Sequence, residues 1–196
     1  MVKQLVLATK NHGKAREFAA AFSLAHMELK ELTQDFVMPQ ETGTTFLENA
    51  LIKARYAAQT LQQVVLADDS GLSVKALGGA PGVHSARYAG EHAADAQNCA
   101  KLLQALLEVE DARREARFTT VLALVWPDGR EITVTGVCDG YIVSSPTGDG
   151  GFGYDPLFYY PPLHKTFAQM SMEEKNQVSH RAQAIHLLLP SFSLLE

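Results

Sequence analysis

Cysteine is scarce in this 196-residue sequence: Cys99 and Cys138 are the only two, and they lie far apart. They form neither a CxxC metal motif nor a dense disulfide framework, so we expect a reducing, cytoplasmic environment. Basic residues are also few, with 17 Lys and Arg against 22 Asp and Glu and a net charge of −5. This balance disfavours a nucleic-acid-binding module, which needs a basic face. The apolar run Leu5–Ala8 is too short for a signal peptide or a membrane span.

The rest of the composition is typical of a folded domain, with 46% hydrophobic and 20% charged residues. A chain of this length can bury a sizeable core without disulfides or a structural metal. We find no internal repeat, low-complexity tract or linker. We therefore expect residues 1–196 to form a single domain.

Hydrophobic periodicity and capping signals predict helices that alternate with strands, followed by a hairpin. The predicted elements are strand Lys3–Thr9, helix Lys14–Leu24, helix Phe46–Leu61, strand Val64–Ala67, helix Ala93–Leu107, strands Phe118–Trp126 and Glu131–Val143, and helix Ser171–Leu189. Capping boxes mark the starts of two of these helices, at Thr45 and at Ser171. This order predicts an α/β fold with a mixed sheet.

The first candidate site is a polar stretch between the first predicted strand and helix. It consists of Thr9, Lys10, Asn11, His12, Gly13 and Lys14. A hydroxyl, an amide, backbone N–H groups at a helix start and a lysine charge are the donors that bind phosphate. The alternative is an ordinary surface turn, whose composition is similar.

The second candidate site joins Glu41 to Asp68 and Asp69. Mg²⁺ prefers carboxylate oxygens, usually one or two from the protein with the rest from water and phosphate. A carboxylate beside the metal can also serve as general base on an attacking water. One aspartate would face the site, and Ser70 and Gly71 would let the backbone bend away. The alternative is that residues 68–71 form a common turn and Glu41 is a solvated charge.

The third candidate site begins with the glycine-rich segment Gly150–Asp155. Glycines let a flat ring approach the backbone closely. Phe152 or Tyr154 would stack on a base, and Asp155 would accept hydrogen bonds from it.

The predicted last helix adds polar groups to this site. Lys175 and Ser179 are i,i+4 neighbours, and the donors His180 and Arg181 follow directly. Two adjacent donors match a purine 6-oxo oxygen but not the 6-amino group of adenine. The alternative is an ordinary solvated helix face. A further segment, Pro81–Tyr88, lines either a cleft or a dimer interface, and its residues do not distinguish the two.

Six motifs in this order resemble the inosine triphosphate pyrophosphatase family, whose members are also called XTP/dITP diphosphatases. The motifs are Thr9–Lys14, Glu41–Ala54, Ala67–Leu72, Gly78–Tyr88, Gly150–Phe158 and Glu173–Arg181. They span nearly the whole chain. One departure is Lys10, which stands where many members have glycine.

The resemblance implies a long mixed sheet with two lobes around a deep cleft, usually assembled as a homodimer. It also implies hydrolysis of ITP, dITP and XTP to the monophosphate and pyrophosphate. Thr9–Lys14 would grip the triphosphate, Glu41 and Asp69 would hold Mg²⁺, and Asp69 would be the general base. The resemblance assigns the remaining substrate contacts to Ser70, Phe152, Gly153, Tyr154, Asp155, Lys175, His180 and Arg181.

Two alternative functions keep the same pocket. One is a related house-cleaning pyrophosphatase that acts on modified pyrimidine nucleotides, and residues 152–155 and 179–181 disfavour it. The other is a non-catalytic purine-nucleotide sensor, which intact Glu41 and Asp69 disfavour.

Overall fold

A computed structural model of the chain describes residues 3–23 and 27–194. The strands in this part are β1 Lys3–Ala8, β2 Met27–Glu31, β3 Val65–Val74, β4 Glu115–Val125, β5 Glu131–Ile142, β6 Phe158–Tyr160 and β7 Lys165–Thr166. The α-helices are α1 His12–Ser23, α2 Phe46–Leu61, α3 Asp95–Ala105, α4 Met172–Val178 and α5 His180–Leu188. No helix in these two ranges is long and apolar enough to cross a membrane.

The described strands form one seven-stranded sheet in the order β2-β1-β3-β4-β5-β6-β7. Strand β1 pairs in parallel with β2 and β3, whereas β6 pairs antiparallel with β5 and β7. The sheet is therefore mixed, and the predicted α/β class is confirmed.

The described chain divides into two compact units. The first contains the chain up to Asp69, Thr120–Gly136 and the chain from Arg181, and the second contains Ser70–Thr119 and Val137–His180. Alternating side chains of β1 enter two separate cores of the first unit: Leu5 and Leu7 pack with Phe18 of α1, and Val6 and Ala8 pack with the alanines of α2.

The core of the second unit is rich in aromatic side chains. Phe118, Phe158 and Phe167 are all buried there, together with Leu102 and Leu106. The ring centroids of Phe118 and Phe158 lie 4.7 Å apart. This unit therefore has a hydrophobic core of its own.

Two predicted helix starts are confirmed by their caps. Thr45 and Ser171 each accept a hydrogen bond from the backbone N–H of the glutamate three residues later, and that glutamate bonds back. The predicted hairpin is also confirmed, since β4 and β5 are neighbours joined by a turn in which Trp126 N–H donates to Arg130 O at 2.9 Å.

The predicted strand end at Ala67 and the bend expected at Ser70 and Gly71 are wrong, because β3 continues to Val74. Turn-prone residues remain in the strand because both aspartates lie close to lysine side chains, as described below. The predicted last helix is also not continuous. It breaks at Ser179, whose backbone is extended with φ −69° and ψ 157°. Helix α1 begins at His12 rather than Lys14, and Leu24, its predicted end, lies outside the described residues.

Three short elements and one helix end also differ from the prediction. Strands β2, β6 and β7 were not predicted, because five, three and two residues are too few for a clear periodicity. Helix α3 ends at Ala105, two residues before the predicted Leu107, whose side chain is exposed.

Candidate active site

The segment between β1 and α1 is organised by two local hydrogen bonds. The N–H of Asn11 donates to Thr9 Oγ1 at 3.2 Å, and Asn11 Oδ1 accepts from the N–H of Lys14 at 3.0 Å. Asn11 thereby caps the helix that begins at His12. The N–H groups of the first helical turn, including those of His12 and Gly13, lie at the positive end of the helix dipole. The predicted phosphate loop thus has the local geometry of an anion site.

Asp68 and Asp69 point to opposite faces of β3, as alternation in a strand requires. Asp68 pairs with Lys14 of α1, with Nζ to Oδ2 at 2.7 Å. Burial raises the pKa of Asp68, but the charges of Lys14, Lys53 and Arg181 outweigh it and lower the pKa below its usual value. Burial likewise lowers the pKa of Lys14, although Asp68 opposes this effect. Asp68 is therefore an ionised partner of Lys14.

Lys53 of α2 lies between the two predicted metal ligands. Its Nζ is 2.6 Å from Glu41 Oε1 and 3.7 Å from Asp69 Oδ1. Burial lowers the pKa of Lys53, but the carboxylates of Asp68, Asp69 and Glu41 raise it above its usual value overall. Sequence reasoning missed this residue. The signal was a lysine on the same helix face as Ala50 and the other buried alanines of α2.

Asn49 links the segment before α2 to Asp69. Its Nδ2 donates to Asp69 Oδ2 at 3.2 Å, and its Oδ1 accepts from the N–H of Gly43 at 2.8 Å. A Cβ at Gly43 would lie 2.6 Å from Asn49 Oδ1, so only glycine permits this approach. Burial raises the pKa of Asp69, although Lys53 and Lys14 lower it, and the net shift is upward. A fixed carboxylate with a raised pKa is suited to general-base chemistry.

Glu41 and Asp69 together fit a divalent cation that arrives with a phosphate ligand. Both carboxylates already converge on one positive charge, the Lys53 ammonium. Within the described ranges, no group of three or more His, Cys, Asp or Glu could hold a metal ion. Two carboxylates with the remaining positions taken by water and phosphate is the ordinary donor set for Mg²⁺.

Arg181 is buried in the first unit, where it pairs with Glu17 of α1. Its guanidinium also lies 5.6 Å from the centroid of the Phe18 ring. Glu17 was missed by sequence reasoning. An acidic residue beside Phe18 on the buried face of a largely apolar helix was the available signal.

The predicted base-binding loop lies in the second unit and is organised around Asp155. The Oδ2 of Asp155 accepts from the N–H of Phe152 at 2.9 Å and also pairs with Lys175. Lys175 Nζ lies 5.0 Å from the centroid of the Phe152 ring. Gly151 has φ +74°, and a Cβ there would collide with the Asp155 carboxylate. Asp155 and Lys175 are both buried, so this pair holds the loop from inside.

Three other predicted residues of this loop and its helix differ in exposure. Tyr154 is buried, and its hydroxyl donates to the carbonyl of Ser85 at 2.8 Å. Phe152 is only half-buried, so it retains more open ring surface than Tyr154. The His180 ring is buried and stacks on Phe118, with centroids 4.6 Å apart and an interplanar angle of 8°.

Lys10 belongs to the first unit and Ser70 to the second. Lys10 is exposed. The Thr33 hydroxyl is the main cause of a lowered pKa at Asp35, and the charge of Lys10 adds to the effect. Ser70 follows Asp69 within β3 and is half-buried. Their contacts with substrate stay predictions.

Comparison with known proteins places these motifs in one family. The model of the Ham1 family matches residues 5–191. A dITP/XTP pyrophosphatase from Geobacillus kaustophilus is 54% identical over 94% of this chain and 91% of its own length. The solved Ham1 protein of Coxiella burnetii is 42% identical, covers 99% of this chain and all of its own, and superposes with a TM-score of 0.87. The Staphylococcus aureus Ham1 protein gives 43% identity over 99% of this chain and all of its own, with a TM-score of 0.85. The chain therefore belongs to the Ham1 family.

Proposed function

We propose that this protein hydrolyses non-standard purine nucleoside triphosphates, namely ITP, dITP and XTP, to the monophosphate and pyrophosphate. It is a nucleoside-triphosphate pyrophosphatase, and this activity cleanses the nucleotide pool. The convergence of Glu41 and Asp69 on Lys53, beside the Lys14–Asp68 pair, is the observation that carries the proposal. A relative named dITP/XTP pyrophosphatase, 54% identical over 94% of this chain, supports the substrate class.

The triphosphate binds to the first unit in this proposal. The segment Thr9–Lys14 contains the start of α1, where backbone N–H groups and the helix dipole favour an anion. Lys14 supplies a charge that its pairing with Asp68 keeps in a fixed position. The helix start and the fixed ammonium group together favour an anion at this position.

Glu41 and Asp69 are the residues that would hold Mg²⁺. When bound, the metal neutralises phosphate charge and polarises the phosphoryl oxygens. Asp69 takes a proton from water, the water oxygen attacks the α-phosphorus, and pyrophosphate leaves. The hydrogen bond that Asn49 donates to Asp69 fixes one oxygen of the Asp69 carboxylate and so orients it for this proton transfer.

The purine base is recognised in the second unit by Phe152–Asp155, Lys175 and His180. The half-buried Phe152 ring offers a stacking surface, and the Asp155–Lys175 pair holds its loop. The helix residues donate hydrogen bonds to a 6-oxo oxygen and leave the 6-amino group of ATP unmatched. We further propose that the chain works as one two-lobed domain, forms a homodimer and acts in the cytoplasm.

The test is to incubate the protein with ITP, XTP, GTP, ATP and dTTP plus Mg²⁺, and to quantify pyrophosphate and orthophosphate separately. We expect pyrophosphate from ITP and XTP, lost in Asp69→Asn and kept in Asp139→Asn. Asp139 of β5 is a matched control, since it is exposed and its carboxylate pairs with Arg117 of β4. Orthophosphate as the first product, or equal turnover of ATP, contradicts the proposal. Preference for dTTP would favour the pyrimidine alternative, and ITP binding without turnover would favour the sensor.

A further inference from the structure

Helix α3 holds both backbone polar groups of Gly153, in the middle of the base-binding loop. Asp95 Oδ2 accepts from the N–H of Gly153 at 2.6 Å. The thiol of Cys99 donates to the carbonyl of Gly153, with Sγ to O at 3.3 Å. Asp95 and Cys99 are four residues apart, so they lie on one face of the helix. We name these two residues the Gly153 clamp.

The clamp fixes the orientation of the peptide that follows Phe152. A peptide unit is planar, so holding the N–H of Gly153 also orients the carbonyl of Phe152. That carbonyl accepts from the N–H of Asp155 at 3.2 Å, and the N–H of Phe152 donates to Asp155 Oδ2. Gly153 has φ +61°, a conformation that glycine adopts without strain. Every backbone polar group from Phe152 N–H to Gly153 C=O therefore has a partner, and half of these partners come from α3.

We propose that Asp95 and Cys99 are positioning residues that set the selectivity of the enzyme for the purine base. This inference rests on the proposed function, in which the Phe152 ring stacks on the base. The ring is half-buried, so its direction depends on the backbone that carries it rather than on a surrounding core. Recognition groups must be held within a fraction of an ångström for full discrimination.

The chemistry of the two side chains suits this role. Burial raises the pKa of the Cys99 thiol to about 11, with smaller contributions from Asp95 and Asp155. The thiol therefore stays protonated at neutral pH and keeps its hydrogen to donate. The Asp95 carboxylate accepts a charge-assisted hydrogen bond from the N–H of Gly153, and such a bond is about twice as strong as a neutral one.

Gln97, in the same turn of α3, provides a control that separates a role of Asp95 in positioning the loop from a role in stabilising the helix. Gln97 Oε1 accepts from the N–H of Ala94 at 2.8 Å and so closes the start of α3. This hydrogen bond stabilises the start of α3 and does not involve the base-binding loop, residues 150–155. Gln97→Ala therefore weakens α3 without releasing Gly153.

The experiment measures kcat/KM for ITP, GTP and ATP in the wild type, Asp95→Ala, Asp95→Asn and Gln97→Ala, all with Mg²⁺. We expect Asp95→Ala to reduce the ITP-over-ATP ratio at least about tenfold, the lower end of the effect of losing one charge-assisted hydrogen bond. Asp95→Asn should keep most of the ratio, because its amide oxygen still accepts. Gln97→Ala should leave the ratio unchanged while lowering the thermal midpoint.

A second arm tests whether the two residues act as one clamp. Cys99→Ala should also lower the ratio, and the double variant with Asp95→Ala should lower it by less than the product of the two single effects. A ratio in Asp95→Ala within about twofold of a discriminating wild type, or multiplicative effects in the double variant, would overturn the inference. A wild type that releases no pyrophosphate, or does not prefer ITP, would instead overturn the proposed function.

Discussion

Glu17 and Arg181 form an ion pair that is almost wholly buried, with exposed fractions of 3% and 2%. Glu17→Gln would keep the shape of the side chain but take away the carboxylate that faces the Arg181 charge. Removing one partner of a buried pair costs roughly 3–5 kcal/mol of unfolding free energy. The exposed pair of Arg55 and Glu131 is a control in the same unit, because Glu131→Gln there should cost less than about 1 kcal/mol.

Urea unfolding followed by tryptophan fluorescence measures both variants. Trp126 is the single tryptophan of the chain. It packs in the same core cluster as Phe18, whose ring lies beside the Arg181 guanidinium. With a slope of roughly 2 kcal/mol per molar urea, Glu17→Gln should lower the unfolding midpoint by about 1.5–2.5 M. A loss no larger than that of Glu131→Gln would refute the reasoning that burial makes this pair important.

Three further perturbations test other parts of the structure. Lys53→Met should lower kcat at least about tenfold, because it removes the charge that Glu41 and Asp69 share. Steady-state kinetics checks this, and unchanged kcat would contradict it. Thr45→Ala should reduce the unfolding free energy by about 1 kcal/mol through loss of its cap, as a urea titration would report. Burial raises the pKa of the two thiols to about 11 and about 12. At pH 8 both are therefore protonated, and a thiol reagent should label them slowly until urea is added, whereas rapid labelling of the native protein would contradict their burial.

Local signals in the sequence predicted the parts of the fold that local interactions determine. The capping box at Thr45 and the hairpin turn at 127–129 both depend on neighbouring residues, and both are present. The strand end at Ala67 and the bend at Ser70 and Gly71 were predicted for the same local reason, yet tertiary partners override these local preferences. Lys14 and Lys53 come from distant positions and stabilise two adjacent aspartates within a strand. The helix break at Ser179 was also not predictable locally, because no glycine or proline lies near it in the sequence.

The candidate site was predicted wherever the residue type itself indicates the chemistry. Asp69 and Lys14 were predicted because a carboxylate suits a metal ion and a lysine near a helix start suits phosphate. Lys53, Asn49 and Glu17 were missed because a polar side chain on a helix is ordinarily exposed, although all three lie on the buried faces of their helices. Their importance depends on burial and on distant partners, which only the fold reveals.

Attack of water at the α-phosphorus is the central claim, and oxygen-18 labelling tests it most directly. The protein would be incubated with ITP and Mg²⁺ in water enriched in oxygen-18, and the products analysed by mass spectrometry. We predict one labelled oxygen in the inosine monophosphate and none in the pyrophosphate. Label in the pyrophosphate would place the attack at the β-phosphorus and contradict the role given to Asp69. Labelled orthophosphate would contradict the pyrophosphatase reaction altogether.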